Sequence, residues 1–316
     1  MNAENNDTNQ TLNIPLITQD DLYHNELWWL VTILAYYITK KKNKDEISNY
    51  VLDIYGIISK IGNCISIINQ SKGFIRRRPS IKQLDDNDQM TITGYYMYHY
   101  DVVIHKLSTI RDLSYKLINI TCKLGLNDKY CNWENLKKKK NQIPVVGIMN
   151  LQQLYYKLLE QIEEERNRST HSGDINLTFL NELDIFVSAS QAIRIYNIPL
   201  LKEWEPMAKG SYNEYLLHKK KKQLIERIDY YQNITIFFIH ALTCCLNNVF
   251  QNNLSDDFKI EFKANFEQAN EVIDKYDKKN NKLVYILDWL IHLDNAVKKY
   301  HEQELKVGKV SIIYFE

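Results

Sequence analysis

The chain has 316 residues, 45% of them hydrophobic, with 40 basic and 39 acidic side chains and a formal net charge of +1. This length supports one large domain or two modest ones. Because the charges balance, the overall charge gives no indication of a polyanion partner. Only 9 glycines and 5 prolines, against 22 tyrosines and many leucines, isoleucines and lysines, favour long helices with few tight turns.

The cysteines and the apolar runs indicate the cellular compartment in which the protein is expected. The 5 cysteines form an odd set without a Cys-x-x-Cys pair, which favours a reducing compartment over a disulfide framework or a zinc site. The longest apolar runs, 27–38 and 234–246, are shorter than the roughly 20 residues that a membrane span needs. Residues 1–10 lack the basic and apolar regions of a signal peptide. We therefore expect a cytoplasmic protein with no membrane segment and no bound metal.

A polar, asparagine-rich tail is predicted over residues 1–20. Asp20 or Asp21 is placed to cap a first helix that runs to about Lys42. The apolar residues of this helix lie almost all round its axis, which predicts that the helix is deeply buried.

A second helix is predicted over residues 45–69, because apolar residues recur there every three or four positions. Its stripe comprises Ile47, Val51, Ile54, Ile58, Ile61, Ile65 and Ile68. Residues 70–90 interrupt the pattern with an arginine triplet at 76–78, Pro79 and an acidic run, which predicts a loop. Solvated charge is the favoured interpretation of the triplet, and contact with phosphate is the alternative.

The third predicted helix, residues 92–124, has the spacing of a central bundle helix. Its apolar positions repeat at seven residues with others between them: Tyr96, Tyr100, Val103, Leu107, Ile110, Leu117 and Leu124. Gly125 is placed to end this helix. For His99 and His105 on this helix, a half-buried or surface position is favoured over a role as ligands.

Residues 126–146 form a second predicted break, and its lysine run is more simply a solvated face than an RNA-facing loop. An amphipathic helix then runs from Gly147 to about Glu165, with its glutamates mostly outside the apolar stripe. Another helix is predicted over residues 177–196.

The best candidate for a domain boundary lies in residues 200–210, at a connection that contains Pro206. We accordingly predict an all-α fold with the following parts: a loose tail (1–20), a helical bundle (21–205) and a C-terminal helical extension (206–316). Helices of the extension are predicted over 212–253, 255–278 and 282–305. Residues 307–315 have the composition of one short strand, although a single strand needs a partner.

The segment from Arg166 to His171 combines a cation, an amide and an imidazole at the end of the helix that begins at Gly147. Arg166 follows Ile162 by four residues and continues the apolar stripe by one turn. A guanidinium cannot lose its proton and is costly to bury alone, so this position needs a carboxylate, a bound anion or a wet cleft.

Helix geometry separates the two ends of this segment. In an unbroken helix, His171 lies roughly 140° around the axis from Arg166. The two side chains converge only if the helix breaks near residues 168–170, or if a second subunit supplies one of them. The polar residues between them favour a break, because their side chains compete for backbone hydrogen bonds. The structural alternative is that Arg166 pairs with a glutamate and His171 caps the helix.

An Arg-Asn-x3-His segment at a helix junction in a bundle resembles the HEPN superfamily, whose motif is Arg-x4–6-His with Asn, Asp or His often after the arginine. Arg166, Asn167 and His171 match that pattern, and the likeness covers about residues 25–200. The long helix that ends before Gly125 also looks like the central helix of large bacterial HEPN proteins of uncharacterised or defence-related type. The resemblance implies a HEPN-like helical bundle.

The resemblance further implies a metal-independent endoribonuclease without a cofactor. His171 would act as general base on the 2′-hydroxyl or as acid at the 5′-oxygen, Arg166 would hold the phosphate, and Asn167 would orient either group. The expected products are 2′,3′-cyclic phosphate and 5′-hydroxyl ends. The alternative is a non-catalytic HEPN-like module that binds RNA or a nucleotide.

Partners are implied in the same way. HEPN nucleases join two protomers so that their motifs form one composite cleft, which implies a homodimer. A role in toxin–antitoxin or antiviral defence, with an inhibitory antitoxin or a defence partner, fits this type. Toxins silenced by a nucleotidyltransferase often carry tyrosine two residues after the histidine. This chain has Gly173 there, which argues against a tyrosine-modifying antitoxin.

Overall fold

The computed structural model describes residues 22, 25–41, 43–77, 92–145, 147–172, 185, 189 and 211–263. The chain divides into two compact units, residues 1–253 and residues 254–316. In the described part of the first unit the α-helices are α1 (Glu26–Thr39), α2 (Glu46–Arg76), α3 (Ile92–Thr121), α4 (Trp133–Lys138), α5 (Gly147–Leu158), α6 (Glu160–Ser172) and α7 (Ser211–Asn252). No strand occurs in the ranges described, and the predicted all-α class is confirmed.

α3 is the central helix of the first unit, because α2, α4, α6 and α7 all pack against it. Every apolar position of its predicted heptad pattern is buried, from Tyr96 to Leu124. The helix ends at Thr121, before the predicted end, and the chain turns with φ of 51° at Lys123 and 71° at Gly125. Glycine tolerates this left-handed conformation because it has no Cβ.

The first two helices differ from their predicted bounds. α1 begins after Asn25, whose side chain accepts a hydrogen bond from the Leu27 amide at 3.1 Å, and the predicted caps at residues 20 and 21 lie outside the described residues. The predicted all-round burial of α1 is wrong on one side, where Tyr36 is 68% exposed. α2 continues past residue 69 because Ile75, two turns after Ile68, extends its buried stripe.

α7 packs against α1, α2, α3 and α5. It contributes fully buried side chains to the core: Leu224, Ile228, Ile239, Leu242 and Leu246. Polar contacts add to this packing, since Lys72 of α2 donates to Asp229 at 2.7 Å and to Gln232 at 2.8 Å. The helix that opens the predicted extension is therefore part of the first unit, and the chain divides after Asn253. The predicted boundary at 200–210 falls on residues that are not described and stays a prediction.

The second unit is described only over residues 254–263. Residues 256–263 are helical, and the Ser255 hydroxyl accepts a hydrogen bond from the Phe258 amide at 3.2 Å. The predicted helix start at residue 255 agrees with this cap. The N-terminal tail, the end of the predicted 255–278 helix, the 282–305 helix and the short strand at 307–315 lie outside the described residues.

Two helices reach the length and mean hydropathy of a membrane span: α2 and most of α7. In the apolar windows of α2 and α7, 44% and 56% of the residues are buried. Polar residues within α7 are buried too, among them Thr243. Core helices of a bundle meet the same criteria, and the packing of both helices against α3 favours that role.

Candidate functional site

The predicted site lies on α6, which is helical from Glu160 to Ser172. A single turn residue, Leu159, separates α5 from α6, and hydrogen bonds from the Leu159 amide to the Tyr155 carbonyl and from the Glu163 amide to the Leu159 carbonyl continue across it. The predicted break near residues 168–170 is therefore wrong, and so is the predicted helix end at residue 165. The turn at Leu159 comes before the motif, and Arg166, Asn167 and His171 all lie on one continuous helix.

The polar residues within the motif do not break α6 because their hydroxyls find partners that suit a helix. Thr170 Oγ1 donates to the Arg166 carbonyl at 2.9 Å, a bond that leaves the backbone ladder in place. Ser169 Oγ donates at 2.6 Å to Asp101 Oδ1 on α3. The Ser169 hydroxyl, which was expected to compete for backbone hydrogen bonds, thus donates to a carboxylate that is distant in the sequence.

Arg166 occupies the half-buried position that its spacing from Ile162 predicts, with 34% of its side chain exposed. Its Nη1 atom lies 3.5 Å from Glu163 Oε2. That oxygen already lies 2.7 Å from Arg111 Nη1, and the other oxygen of Glu163 accepts from Ser108 at 2.6 Å. Arg166 is thus the weaker partner of a carboxylate that has other ligands, and its guanidinium remains open to solvent.

Arg111 is the stronger partner. Its side chain is 11% exposed and lies between Asp112, at 2.9 Å, and Glu163. Burial opposes the charged form of Arg111, but the two carboxylates outweigh burial and raise the pKa of the guanidinium. Glu163 is therefore held by a permanently charged, largely buried cation.

A second polar cluster lies beside the motif on α3. Asp101 Oδ1, which accepts from Ser169, also lies 3.4 Å from Nε2 of His105. His105 is half-buried, as predicted, with 40% of its side chain exposed. Because Ser169 follows Arg166 by three residues, this cluster and Arg166 lie on neighbouring turns of one helix face.

The other two predicted site residues face solvent. Asn167 and His171 are both exposed, and no described residue hydrogen-bonds the His171 ring. His171 lies in the last turn of α6, where a cation complements the helix dipole. Because the helix is unbroken, Arg166 and His171 point roughly 140° apart around its axis. A single chain therefore does not bring the two together.

Comparison with protein families decides the family. Residues 50–203 match the family model described as Cthe2314-like HEPN. Residues 50–203 therefore form a domain of the HEPN superfamily. The matched residues begin in α2, include α3 to α6, and contain Arg166, Asn167 and His171. Neither the curated proteins nor the solved structures give a significant match.

In this HEPN domain, the carboxylate next to Arg166 fastens α6 to two other helices. Glu165 is 7% exposed, and its Oε2 atom accepts from the Tyr100 hydroxyl of α3 at 2.6 Å. Arg227 of α7 pairs with the other oxygen of Glu165 and donates from Nε to the Tyr100 hydroxyl at 2.8 Å. Burial and the neighbouring Glu165 raise the pKa of Tyr100, so the phenol stays a donor. Since α7 lies beyond the matched residues, this anchor depends on the C-terminal part of the chain.

The described ranges contain neither a metal-binding cluster nor a cysteine with a lowered pKa. No three residues among the His, Cys, Asp and Glu side chains described there are placed to hold a metal ion. The five cysteines are free, and burial raises the pKa of Cys122 and of Cys131 to about 11. Because a protonated thiol is a poor nucleophile, Cys122 and Cys131 are poorly suited to covalent catalysis.

Sequence reasoning missed the residues that support the motif, namely Asp101, Ser108, Arg111, Glu163, Glu165 and Arg227. The two glutamates were expected mostly outside the apolar stripe, yet Glu165 is buried and Glu163 is 15% exposed. The sequence contained one signal: Arg111 sits among the buried positions of the central helix, where a guanidinium needs an anionic partner. Which glutamate would supply that anion depends on how α6 packs against α3.

Proposed function

We propose that this HEPN protein is a metal-independent endoribonuclease whose active site forms between the α6 helices of two copies. The observation that carries this proposal is the placement of Arg166 and His171 on one unbroken helix, roughly 140° apart around its axis. A phosphate held by Arg166 is then out of reach of His171 in the same chain. A two-fold axis beside α6 would set Arg166 of one copy next to His171 of the other.

The chemistry needs only RNA and these side chains. The 2′-hydroxyl oxygen attacks the adjacent phosphorus while His171 of one copy takes the hydroxyl proton. The bond from phosphorus to the 5′-oxygen breaks, and the protonated His171 gives that oxygen the proton that it took. The products are a 2′,3′-cyclic phosphate and a 5′-hydroxyl. Asn167 orients the imidazole or the phosphate beside it.

Arg166 is suited to hold the non-bridging phosphate oxygens. Its contact with Glu163 is long, at 3.5 Å, and Arg111 binds the same carboxylate oxygen more closely. The guanidinium therefore keeps donors for a phosphate, which it can bind through two parallel hydrogen bonds. Fixed donors of this kind stabilise the charge that develops in the transition state without reorganising. Glu165, held by α3 and α7, keeps the backbone next to Arg166 in place.

The direct test compares the wild-type protein with the His171→Ala variant on a mixture of RNAs in the presence of EDTA. The wild type should cut and leave 2′,3′-cyclic phosphate ends, and His171→Ala should lose the activity while keeping its melting temperature. His218→Ala, at an exposed histidine of α7, is the matched control and should cut normally. Equal cutting by His171→Ala, or intact RNA with the wild type, contradicts the proposal.

A second candidate is a non-catalytic module that binds RNA or a nucleotide. The contact between Arg166 and Glu163 favours it, because a paired guanidinium can serve the fold alone. In that case Arg166→Lys and Arg166→Ala should both lower the melting temperature, while the wild type binds RNA without cutting it. For a nuclease, Arg166→Lys should retain stability and lose most activity, because an ammonium lacks the planar fork of donors.

We propose in addition that the protein acts in the cytoplasm, in a toxin–antitoxin or antiviral defence system. An inhibitory partner would restrain its activity. A nuclease that acts on cellular RNA is harmful unless it is held inactive. Induced expression of the wild-type chain in a bacterium should therefore arrest growth, whereas His171→Ala should not. Normal growth with soluble, RNA-cutting wild-type protein would argue against this role.

A further inference from the structure

Exposed aromatic rings gather where α2 ends and α3 begins. Phe74 is 43% exposed and Tyr98 is 57% exposed. The His99 ring stacks on Phe74, with ring centres 4.9 Å apart and an interplanar angle of 16°, and contacts the edge of Tyr98 at 5.2 Å. Tyr95 fixes the arrangement, because its hydroxyl donates to the Phe74 carbonyl at 3.3 Å. The rings thus form a preorganised, solvent-facing group.

Cations border these rings. Arg76 and Arg77, at the end of α2, are exposed, and no described carboxylate pairs with either. Lys221 of α7 donates from Nζ to the Arg76 carbonyl at 3.3 Å, which brings this lysine to the same edge. The chain as a whole carries a net charge of only +1, so this is a local excess of positive charge. We name this region, with Phe74, Arg76, Arg77, Tyr98, His99 and Lys221, the aromatic–basic surface.

The aromatic–basic surface lies toward the end of the motif helix that carries His171. α3 and α6 run antiparallel and meet where Ser169 donates to Asp101. Tyr98 precedes Asp101 by three residues, about 4.5 Å along α3. His171 follows Ser169 by two residues, about 3 Å along α6 in the same direction. The two features therefore lie at similar levels along the two helices.

We propose that the aromatic–basic surface binds single-stranded RNA that leads into the cleft between the α6 helices. Unpaired bases stack on the exposed rings of Tyr98 and Phe74, and backbone phosphates lie against Arg76 and Arg77. Every base has a face that can stack on an aromatic ring, whereas the bases of a duplex are already stacked on each other. The bordering cations favour RNA over a neutral protein partner. The proposal rests on the proposed function for the identity of its ligand.

Binding is measured with the His171→Ala chain, so that cleavage cannot consume the probe, a fluorescent single-stranded oligouridine of about 12 nucleotides. Adding Phe74→Ala and Tyr98→Ala should raise Kd about tenfold or more, because two stacking faces are lost. Tyr98→Trp should restore much of the loss. Arg76→Gln with Arg77→Gln should raise Kd and reduce the slope of log K against log salt by about 1.4.

The matched control is Tyr36→Ala on α1, which removes a ring that is 68% exposed and lies 5.2 Å from the Lys40 ammonium. It should leave Kd unchanged. Phe74→Ala/Tyr98→Ala protein that keeps its melting temperature and binds as tightly as its parent overturns the proposal. A change in sedimentation mass with unchanged RNA binding also overturns it and assigns the surface to a protein contact.

The test separates this proposal from the proposed function. If wild-type protein cuts no RNA but the Phe74→Ala/Tyr98→Ala variant loses binding, the nuclease fails and the aromatic–basic surface stands. If wild-type protein cuts RNA and the same variant binds normally, the nuclease stands and the surface fails.

Discussion

Arg111 and Arg166 approach one and the same carboxylate oxygen, Glu163 Oε2, at 2.7 Å and 3.5 Å. This difference in distance indicates that the two arginines have different roles. Arg111, largely buried on the central helix, holds Glu163 and so fixes the start of α6. Arg166, one turn further along and half-exposed, is left able to hold an anion from outside the chain.

Double-mutant cycles with Glu163→Gln test this division of tasks. The coupling free energy between Arg111 and Glu163 should be about 2 kcal/mol, the range of a charged hydrogen bond away from water. The coupling between Arg166 and Glu163 should be below about 0.5 kcal/mol, since that pair is long and solvent-screened. Urea unfolding of Arg111→Gln, Arg166→Gln and the corresponding double variants gives both values. An Arg166 coupling as large as that of Arg111 would make Arg166 a structural residue.

Glu165→Ala should destabilise the domain by about 3 kcal/mol, because it leaves the Arg227 guanidinium without its carboxylate. Adding Arg227→Gln should recover part of the loss by removing the unpaired cation. Glu164→Ala, at the exposed neighbouring glutamate, is the control and should stay within about 0.5 kcal/mol of the wild type. Chemical denaturation measures all three. Equal losses for the 164 and 165 variants would mean that the Tyr100–Glu165–Arg227 anchor does not stabilise α6.

His99 should make folding stability depend on pH. Burial lowers the pKa of His99 below its ordinary value of 6.5, so the unfolded chain binds a proton more readily than the folded chain. Stability should therefore fall as pH drops from 6.5 toward the folded-state pKa of His99, with no contribution above that window. His99→Phe keeps a ring on Phe74 and removes the proton site, so its melting temperature should fall less between pH 7 and pH 5. Parallel curves for the two proteins would contradict this.

Local periodicity was sufficient to predict that α1, α2, α3, α5 and α7 exist, but it missed α4 and the division between α5 and α6. The seven-residue spacing from Tyr96 to Leu124 identified the central helix, because a helix with partners along its length must bury that face. α7 was predicted within one residue of its observed bounds. Its membership of the first unit was not predicted, because a connection near Pro206 has the composition of a boundary and packing partners do not show in the local pattern.

The motif was recognisable from sequence, but its geometry was not. The hydroxyls of Ser169 and Thr170 suggested a broken helix, and the break was misplaced because Asp101 takes one hydroxyl and a backbone carbonyl takes the other. Asp101 is 68 residues from Ser169, so no local pattern could supply this partner. The same holds for Arg227, which pairs with Glu165 across 62 residues.

The most direct test of the composite site mixes two inactive variants. Arg166→Ala and His171→Ala chains are each assayed alone and then after subunit exchange, against wild-type protein on the same RNA. If Arg166 of one copy works with His171 of the other, random exchange leaves about a quarter of the sites intact, and the mixture should recover about that share of wild-type cleavage. A mixture that exchanges subunits and stays as inactive as its components would contradict a site shared between two chains.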